Sequence, residues 1–441
     1  MVDNKNSNRP GGARLLWKIL RWLSLVIVVG AAVGLRVGYA QIFPKVDDEI
    51  GQPVASPPVL DAFGADPRVT SVADWERRRP QLETAFATHL YGDMPPQMET
   101  TVLARESFAK PLAPSTRLDQ LTLGFGSEGT RGKANVLLIR PAPEVKLRGL
   151  IVMQTFCGNA AAGHYRNPAV QSLAAAPKFC KGPMSALSHI ILGKYPSAPP
   201  YALVTARGYA IAIVYAPDLV PDEAATSGPA LERLYGRDYK TSSRPGGALA
   251  AWAWLYAQTG RALGQEPGLE GVPVIAWGHS RNGKAALLAG AVYPEISGVI
   301  AHQSGKGGTT LTRSHLGESV KQITDSYGYW FTPAYARFAG NEAAIPVDQH
   351  QLIALNAPKP VLIGTGDRDK WSDPPGSFRA AQGASPVYEL YGFKPFDQTA
   401  LTAFDATRRV AFFMRAGTHG VTTQDWNLML AFLDAHFPAR P

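Results

Sequence analysis

Short runs of apolar residues, separated by segments of helical spacing, make up most of the chain after about residue 118. The first two runs, Leu121–Leu123 and Ala134–Ile139, are typical of an antiparallel pair that opens a sheet. Six later runs are apolar almost without interruption: Leu150–Met153, Tyr209–Tyr215, Val272–Trp277, Gly298–Ala301, Pro360–Gly364 and Val410–Met414. Strands of this kind are buried on both faces. The pattern therefore predicts an α/β fold in which helices cover both faces of a mostly parallel central sheet, a three-layer sandwich.

Helical periodicity continues on both sides of this region. Apolar residues recur at helical spacing in Val72–Leu90, and Gln424–Phe437 is amphipathic. Gln41–Leu60 contains four prolines and few periodic apolar residues, which is typical of a linker or an extended arm. We therefore divide the chain into an N-terminal segment, residues 1–40, a linker, residues 41–65, and one large domain, residues 66–441.

The N-terminal segment has the pattern of an export signal. The fourteen uncharged residues of Trp22–Leu35 follow three basic residues, Arg14, Lys18 and Arg21. This length fits the core of a signal peptide, and Gly38 and Ala40 supply small residues at a cleavage site. A cleaved signal and an uncleaved anchor over residues 15–35 both stay open, because leucines before Arg21 could lengthen the run. In either case we expect the domain in the periplasm or outside the cell, with membrane contact only through this segment.

Composition limits the classes of function that need to be considered. The chain has 441 residues, of which 45% are hydrophobic, so it can bury a large core and is not disordered. The formal net charge is +9, but residues 1–40 contribute +5 of it. The rest of the chain lacks the basic stripe with interleaved aromatic residues that nucleic-acid-binding surfaces show. Nucleic acid is therefore not an expected partner, and we expect a monomer.

The chain has two cysteines, Cys157 and Cys180. Export makes a disulfide between them chemically permissible. A pair of buried free thiols fits the sequence equally well, so both alternatives stay open. The spacing of the cysteines and histidines matches no zinc site, and we expect no metal.

The most informative segment is Gly278–Lys284, which follows an apolar strand and precedes an alanine-rich helix. Glycines on both sides of Ser280, in this strand–turn–helix context, are typical of a nucleophile elbow. Such a turn holds the hydroxyl at the carboxyl end of the sheet, while the helix directs backbone N–H groups toward an oxyanion. The trailing glycine, Gly283, lies three residues after Ser280 rather than the usual two. The alternative, a serine in an ordinary loop, is disfavoured because partners for Ser280 follow downstream.

A serine hydroxyl needs a base before it can attack an ester at neutral pH. His419 lies in a Gly-Thr-His-Gly loop directly after the last predicted strand, where the order Ser, acid, His places the base. For the acid we favour Asp369, which ends a G-x-x-D turn after the strand Pro360–Gly364. Asp367 is the second candidate and Asp373 is interpreted as a turn or cap residue. The alternative, that these aspartates only solvate a loop, leaves His419 without a carboxylate.

The elbow, G-H-S-R-N-G-K, resembles the G-x-S-R-x-G-K signature of the glucuronoyl esterases, carbohydrate esterase family fifteen of the α/β-hydrolase superfamily. Five other segments resemble family segments in the same order: Phe156–Asn159, Gln303–Gly308, Pro346–His350, Asp369–Pro374 and Arg415–Gly420. The resemblance covers about residues 70–437. It implies an α/β-hydrolase fold and, as substrates, esters of 4-O-methyl-glucuronic acid that join xylan to lignin alcohols. No metal or organic cofactor is implied.

The resemblance also assigns roles to single residues. Many family members carry a Glu at the position of Gln303, and an amide cannot balance an imidazolium, so the acid is expected after the following strand. Arg281 is expected beside the oxyanion and Lys284 at the sugar hydroxyls, although Lys284 alone would also fit a helix residue that reaches out to solvent. Trp371 is a candidate stacking surface for the uronate ring. Gln322, together with Gln303, is a weaker candidate for substrate binding.

We therefore predict a serine esterase that acts through a Ser280 acyl-enzyme on a small-molecule or polysaccharide uronate ester. One alternative is an acetyl esterase or broad-specificity carboxylesterase, because a fold does not determine a substrate. A second alternative, prompted by Gln303, is an inactive carbohydrate-binding relative. Against it, Ser280, His419 and an alternative acid are all present.

Overall fold

The computed structural model describes residues 38–46, 54–163, 167–180, 192–193 and 195–439. The chain divides into two units, Met1–Lys45 and Val46–Pro441. In the first unit residues 38–42 are helical. The predicted signal or anchor, up to residue 37, lies outside the described residues. Among the helices that the structure does describe, none has the length and apolar character needed to cross a bilayer.

The second unit is built on one sheet, which has nine strands within the described residues. They are β1 Thr100–Phe108, β2 Arg117–Phe125, β3 Gly132–Arg140, β4 Gly149–Gln154, β5 Tyr209–Val214, β6 Val274–His279, β7 Ile296–His302, β8 Val361–Gly366 and β9 Val410–Arg415. Their spatial order is β1-β2-β3-β5-β4-β6-β7-β8-β9. The first three pairs are antiparallel and the other five are parallel. This mixed, mostly parallel sheet confirms the predicted α/β fold.

Helices cover both faces of the sheet. They are α1 Val72–Phe86, α2 Gly158–Ala162, α3 Tyr201–Ala206, α4 Ala224–Tyr235, α5 Ala248–Leu263, α6 Arg281–Val292, α7 Val320–Tyr327, α8 Gln349–Ala354, α9 Pro374–Leu390 and α10 Thr423–His436. Alternate residues of the strands belong to two separate core clusters, as Val152 and Met153 show. Helices α1, α5, α6, α8 and α9 pack in one cluster, and α3 and α10 pack in the other. The result is the three-layer arrangement that the sequence predicts.

One strand was not predicted. Strand β1 pairs with β2 at the edge of the sheet, and most of its side chains are exposed. Its apolar residues form only the short run Val102–Ala104, which Arg105 and Glu106 follow, so it does not resemble the longer apolar runs of the buried strands. Charged side chains on an edge strand also oppose pairing with other chains.

The parallel strands bring the candidate site residues together. Ser280 directly follows β6, Gln303 follows β7, Asp367 and Asp369 follow β8, and His419 lies in the loop after β9. Because these strands are parallel neighbours, their carboxyl ends lie along one edge of the sheet. Side chains that are far apart in sequence are thereby brought together, as is usual for sites of open α/β sheets.

Candidate active site

Ser280 occupies a strained turn between β6 and α6. Its φ is +55° and its ψ is −127°, a conformation that L-residues rarely adopt. A Cβ atom on Gly278 would lie 2.0 Å from the carbonyl oxygen of Asn282, and one on Gly283 would lie 2.9 Å from that of Gly278. Both glycines are therefore required by close backbone approach. This explains why the trailing glycine stands at the third position after Ser280.

His419 is paired with a buried carboxylate. Its Nδ1 lies 2.7 Å from Asp369 Oδ2, the contact that the sequence predicts. Burial alone would raise the pKa of Asp369, but His419 and Ser372 hold it below its ordinary value. The ionised carboxylate accepts a hydrogen bond from Nδ1–H, so Nε2 of a neutral His419 is left as the basic nitrogen. The hydroxyl of Ser372 lies 3.2 Å from the same Nδ1 and further fixes the ring.

The loop that carries His419 is held at both ends by one buried arginine. Arg415 donates to the carbonyl oxygen of Ala416 at 3.1 Å and to that of Gly420. Its Nε lies 2.9 Å and 3.1 Å from the two carboxylate oxygens of Asp425 on α10. The guanidinium thus ties the loop to a helix of the core, which restricts where His419 can lie.

Two predicted site residues contact the backbone of this loop. Gln303 Nε2 donates to the carbonyl oxygen of Thr418 at 3.0 Å. Asp367 Oδ1 accepts from the backbone N–H of Gly417 at 2.7 Å. Asp369 is therefore the candidate whose carboxylate contacts His419. Gln303 and Asp367 instead hold the loop on which His419 lies.

The ring of His419 lies against the residue that precedes Ser280. The ring centroids of His419 and His279 are 4.7 Å apart, and His279 directly precedes Ser280. Among the described residues no hydrogen bond joins Ser280 Oγ to His419. Such bonds are often long in a free enzyme and tighten when substrate binds, so the arrangement is compatible with general-base catalysis.

The side chain of Arg281, the residue after Ser280, is held in place by two neighbours. Its Nε lies 2.8 Å from Asp222 Oδ2, and its Cζ lies 4.4 Å from the centre of the Phe156 ring. Asp222 also accepts from Tyr329 Oη at 2.9 Å and from Trp330 Nε1 at 2.7 Å. The charge next to Ser280 is therefore pre-positioned. Asp222 was not predicted; the available signal was its place in the loop after β5, at the same edge of the sheet.

Lys284 is buried and does not reach solvent. Its Nζ donates to the carbonyl oxygen of Ser304 at 2.6 Å and to that of Lys306, and burial lowers its pKa to about 8. Glu318, a second buried charged group, interacts electrostatically with Lys284 and His419. Burial raises the pKa of Glu318, and Lys284, His419 and Lys306 oppose that shift. Glu318 lies in a long irregular loop and carries no local sequence pattern that could have identified it.

The two remaining candidates occupy the rim. Trp371 is 54% exposed, and its carbonyl oxygen accepts from the N–H of Glu318 at 3.1 Å. Its ring is thus accessible to a ligand, and its backbone is joined to that of Glu318. Gln322 lies in the first turn of α7, where its Oε1 accepts from the N–H of Ser319 at 2.8 Å in a capping box. Its side chain therefore already serves the start of this helix.

The two cysteines form a disulfide, with their Cα atoms 5.4 Å apart. This decides between the two alternatives that the sequence left open. Cys157 directly follows Phe156, the ring that packs on Arg281, and Cys180 Sγ lies 3.7 Å from the carbonyl oxygen of Phe156. The bridge therefore supports the loop after β4, on the oxyanion side of the site.

Comparisons with known proteins match most of the chain. A family model described as glucuronyl esterase, fungi, matches residues 196–392. Carbohydrate esterase MZ0003, from an unknown prokaryotic organism, is 30% identical over 380 residues, 84% of this chain and 87% of that protein. A promiscuous CE15 esterase from a marine bacterial metagenome superposes with a TM-score of 0.74 at 26% identity, covering 89% of this chain and 100% of that one. The glucuronoyl esterase of Solibacter usitatus gives 0.73 at 27% identity, covering 88% and 99%.

The region matched by the family model includes the elbow, and these similarities confirm the resemblance inferred from the motif around Ser280. They are also of the extent expected for a shared fold and a shared class of reaction, because the chains align nearly end to end. The chain therefore belongs to the glucuronoyl esterases, carbohydrate esterase family fifteen, and is a carboxylic ester hydrolase with the α/β-hydrolase fold.

Proposed function

We propose that this enzyme hydrolyses esters of glucuronic or 4-O-methyl-glucuronic acid, of the kind that joins xylan to lignin alcohols. The observation that carries this proposal is the pair of opposite buried charges, Lys284 and Glu318, next to the Asp369–His419 pair. Burying a charged side chain costs folding free energy unless the charge is paired or hydrogen-bonded. A sugar offers hydroxyl groups that can donate to the carboxylate and accept from the ammonium, whereas an acetyl group offers none.

We propose the following course for the reaction. Ser280 Oγ attacks the ester carbonyl carbon while His419 Nε2 takes its proton, and Asp369 stabilises the imidazolium. Arg281 and the N–H groups at the start of α6 stabilise the negative charge on the carbonyl oxygen. The C–O bond to the alcohol breaks as His419 returns the proton to the leaving oxygen. His419 then activates a water, which attacks the acyl-enzyme and releases the uronate and Ser280.

On the substrate side we assign sugar contacts to Lys284 and Glu318, with Trp371 packing against the ring. Gln322 stays a predicted contact, although it would have to leave its capping position to make one. Gln303 stays a predicted contact as well, and its Oε1 is buried without a hydrogen-bond partner in the described structure.

The test compares two esters of one alcohol, benzyl glucuronate and benzyl acetate, with the full-length protein and with Ser280→Ala as background. Two charge-assisted contacts to the sugar predict a kcat/KM for the glucuronate ester roughly 100-fold higher. Equal values would favour a broad carboxylesterase, the alternative suggested by the relative described as promiscuous. No hydrolysis of either ester would favour an inactive binding relative.

We also propose that the domain is exported, as the basic flank and apolar run before residue 36 indicate. The disulfide supports this, since disulfides persist mainly in oxidising compartments. Cell fractionation tests the proposal. Full-length protein with reduced cysteines in the cytoplasmic fraction would contradict it.

A further inference from the structure

A chain of buried polar side chains lies behind the site, and the mechanism above does not use it. His279 Nδ1 lies 3.0 Å from His302 Nδ1, and His302 Nε2 lies 2.9 Å from Asp425 Oδ1. All three residues are fully buried. The ring of His279 packs against that of His419.

Asp425 is held as a carboxylate. Arg415 approaches both of its oxygens, and the N–H and hydroxyl of Thr422 each donate to Oδ2 at 2.7 Å. Burial alone would raise the pKa of Asp425, but His302, Arg415 and Thr422 lower it to about 2. A carboxylate can only accept hydrogen bonds, so His302 must donate to it from Nε2.

The protons of the two histidines follow from this. Burial lowers the pKa of His302, and Asp425 only partly opposes the shift, so His302 is neutral. With its proton on Nε2, His302 carries a lone pair on Nδ1 and must accept there. His279 therefore donates from Nδ1 and, being neutral, carries a lone pair on Nε2. That Nε2 is buried and has no hydrogen-bond partner in the described structure.

Charged and titratable groups surround His279 from several elements. Burial is the main reason that its pKa falls well below the ordinary value, and four cationic or protonatable neighbours add to it: His419, His302, Arg415 and Arg281. Acidic groups lie one contact further away. They are Asp425 beside His302, Asp369 beside His419, Asp222 beside Arg281, and Glu318, which interacts with His419. His279 therefore stays uncharged when His419 takes the serine proton.

We propose that His279 is a positioning residue for the reaction, held by the His302–Asp425 pair as the uncharged tautomer with its proton on Nδ1. The imidazolium of His419 then forms beside a neutral ring whose Nε2 carries a lone pair rather than a second N–H. This inference deepens the proposed function, since it concerns the same base, but it does not depend on which ester is hydrolysed.

The direct test is nitrogen NMR of the full-length protein with ¹⁵N-labelled histidine, assigned with His279→Gln and His302→Gln. We expect His279 to carry its proton on Nδ1 and His302 on Nε2 throughout the pH range of activity. A doubly protonated His302, or a proton on His279 Nε2, would overturn the proposal. This readout needs no substrate, so it decides the tautomer even if the proposed function fails.

The kinetic test uses a matched pair at one position. The amide of His302→Gln can accept from His279 and donate to Asp425, so its kcat should stay within about threefold of the parent. His302→Met has similar bulk and no polar hydrogen, so it should lose roughly tenfold in kcat with little change in KM. The acid limb of its kcat/KM profile should move to lower pH, because the neighbour of the imidazolium has lost its fixed lone pair.

The outcomes separate this role from simple packing. If both variants lose the same activity and keep the parental pH profile, His302 only fills space and the proposal fails. If His302→Met does not fold, which thermal unfolding would show, the NMR tautomers and the His302→Gln profile still decide. Running the profiles on benzyl acetate as well as benzyl glucuronate keeps the test independent of sugar preference.

Discussion

At the scale of single residues, the assignment of the acid that pairs with His419 can be tested directly. Asp369 lies 2.7 Å from His419 Nδ1, whereas Asp367 and Gln303 contact the backbone of the loop that carries His419. Substitution of each of the three side chains should therefore reduce kcat by a different factor. The contrast tests the assignment more strictly than any one variant, because all three changes fall within the same small region.

We expect Asp369→Asn to lose roughly 10⁴-fold in kcat, since the amide no longer holds the correct tautomer of His419 or balances its charge. Asp367→Asn keeps an oxygen acceptor for Gly417, and Gln303→Ala removes one hydrogen bond to Thr418, so both should lose about tenfold or less. Steady-state kinetics on benzyl glucuronate measures all three. An Asp369→Asn enzyme that outperforms Asp367→Asn would refute the triad.

A second residue-scale prediction concerns Lys284. Lys284→Ala should reduce kcat/KM on benzyl glucuronate by roughly 10- to 100-fold, because a charged hydrogen bond to the sugar is lost, and by much less on benzyl acetate. Lys284→Met is the matched control, since it keeps the stem that packs in the core. The pKa of about 8 adds a pH signature: KM for the glucuronate ester should rise as pH exceeds about 8. An equal loss on both esters would mean that Lys284 supports the elbow only.

At the scale of elements, the sequence predicted what is local and continuous. The elbow is contiguous, and β6 and α6 flank it, so its glycines and Ser280 could be recognised without tertiary information. Asp369 and His419 each follow a buried strand whose apolar run is plain. Strand β1 has only the short run Val102–Ala104, and most of its side chains face water at the edge of the sheet. Asp222 and Glu318 lie in loops, where only the folded chain shows what a side chain faces.

The loop after β9 gives a prediction at this scale. Arg415 binds the carbonyl oxygens on both sides of His419 and anchors them to α10, so Arg415→Lys should lose about 1–3 kcal/mol of unfolding free energy. It should also lower kcat roughly tenfold with KM nearly unchanged, because His419 is misplaced while the sugar contacts remain.

The matched control is Arg408→Lys, which makes the same substitution just before β9. Arg408 pairs with the exposed residues Asp405 and Asp397, and it precedes β9 whereas the His419 loop follows it. Both its kcat and its unfolding free energy should stay close to the parent. If Arg415→Lys behaves like this control, the arginine does not position the loop.

At the scale of the whole molecule, the fold class could be predicted because eight of the nine described strands contain apolar runs that are visible in the sequence. The buried hydrogen-bonded chain from His279 to Asp425 could not be predicted. It joins residues of β6, β7 and α10, and no pattern in the sequence indicates that these residues are in contact. The same holds for the ring contact between His279 and His419. Long-range polar contacts of this kind depend on the register of neighbouring strands, which the apolar pattern leaves open.

The last prediction concerns acid stability, and it belongs to the molecule as a whole because Asp425 ties α10, β7 and the His419 loop together. Its pKa is lowered from 3.8 to about 2 on folding. A carboxyl whose pKa is depressed in the folded state stabilises the protein fully above its unfolded pKa, and that stability disappears as pH falls toward the folded pKa. Urea unfolding measured between about pH 5 and 2 should therefore show a steep loss in the parent. Asp425→Asn should be less stable near neutral pH and should lose less over this interval, because position 425 no longer titrates. Parallel curves for the two proteins, separated by a constant offset, would show that the acid loss arises elsewhere.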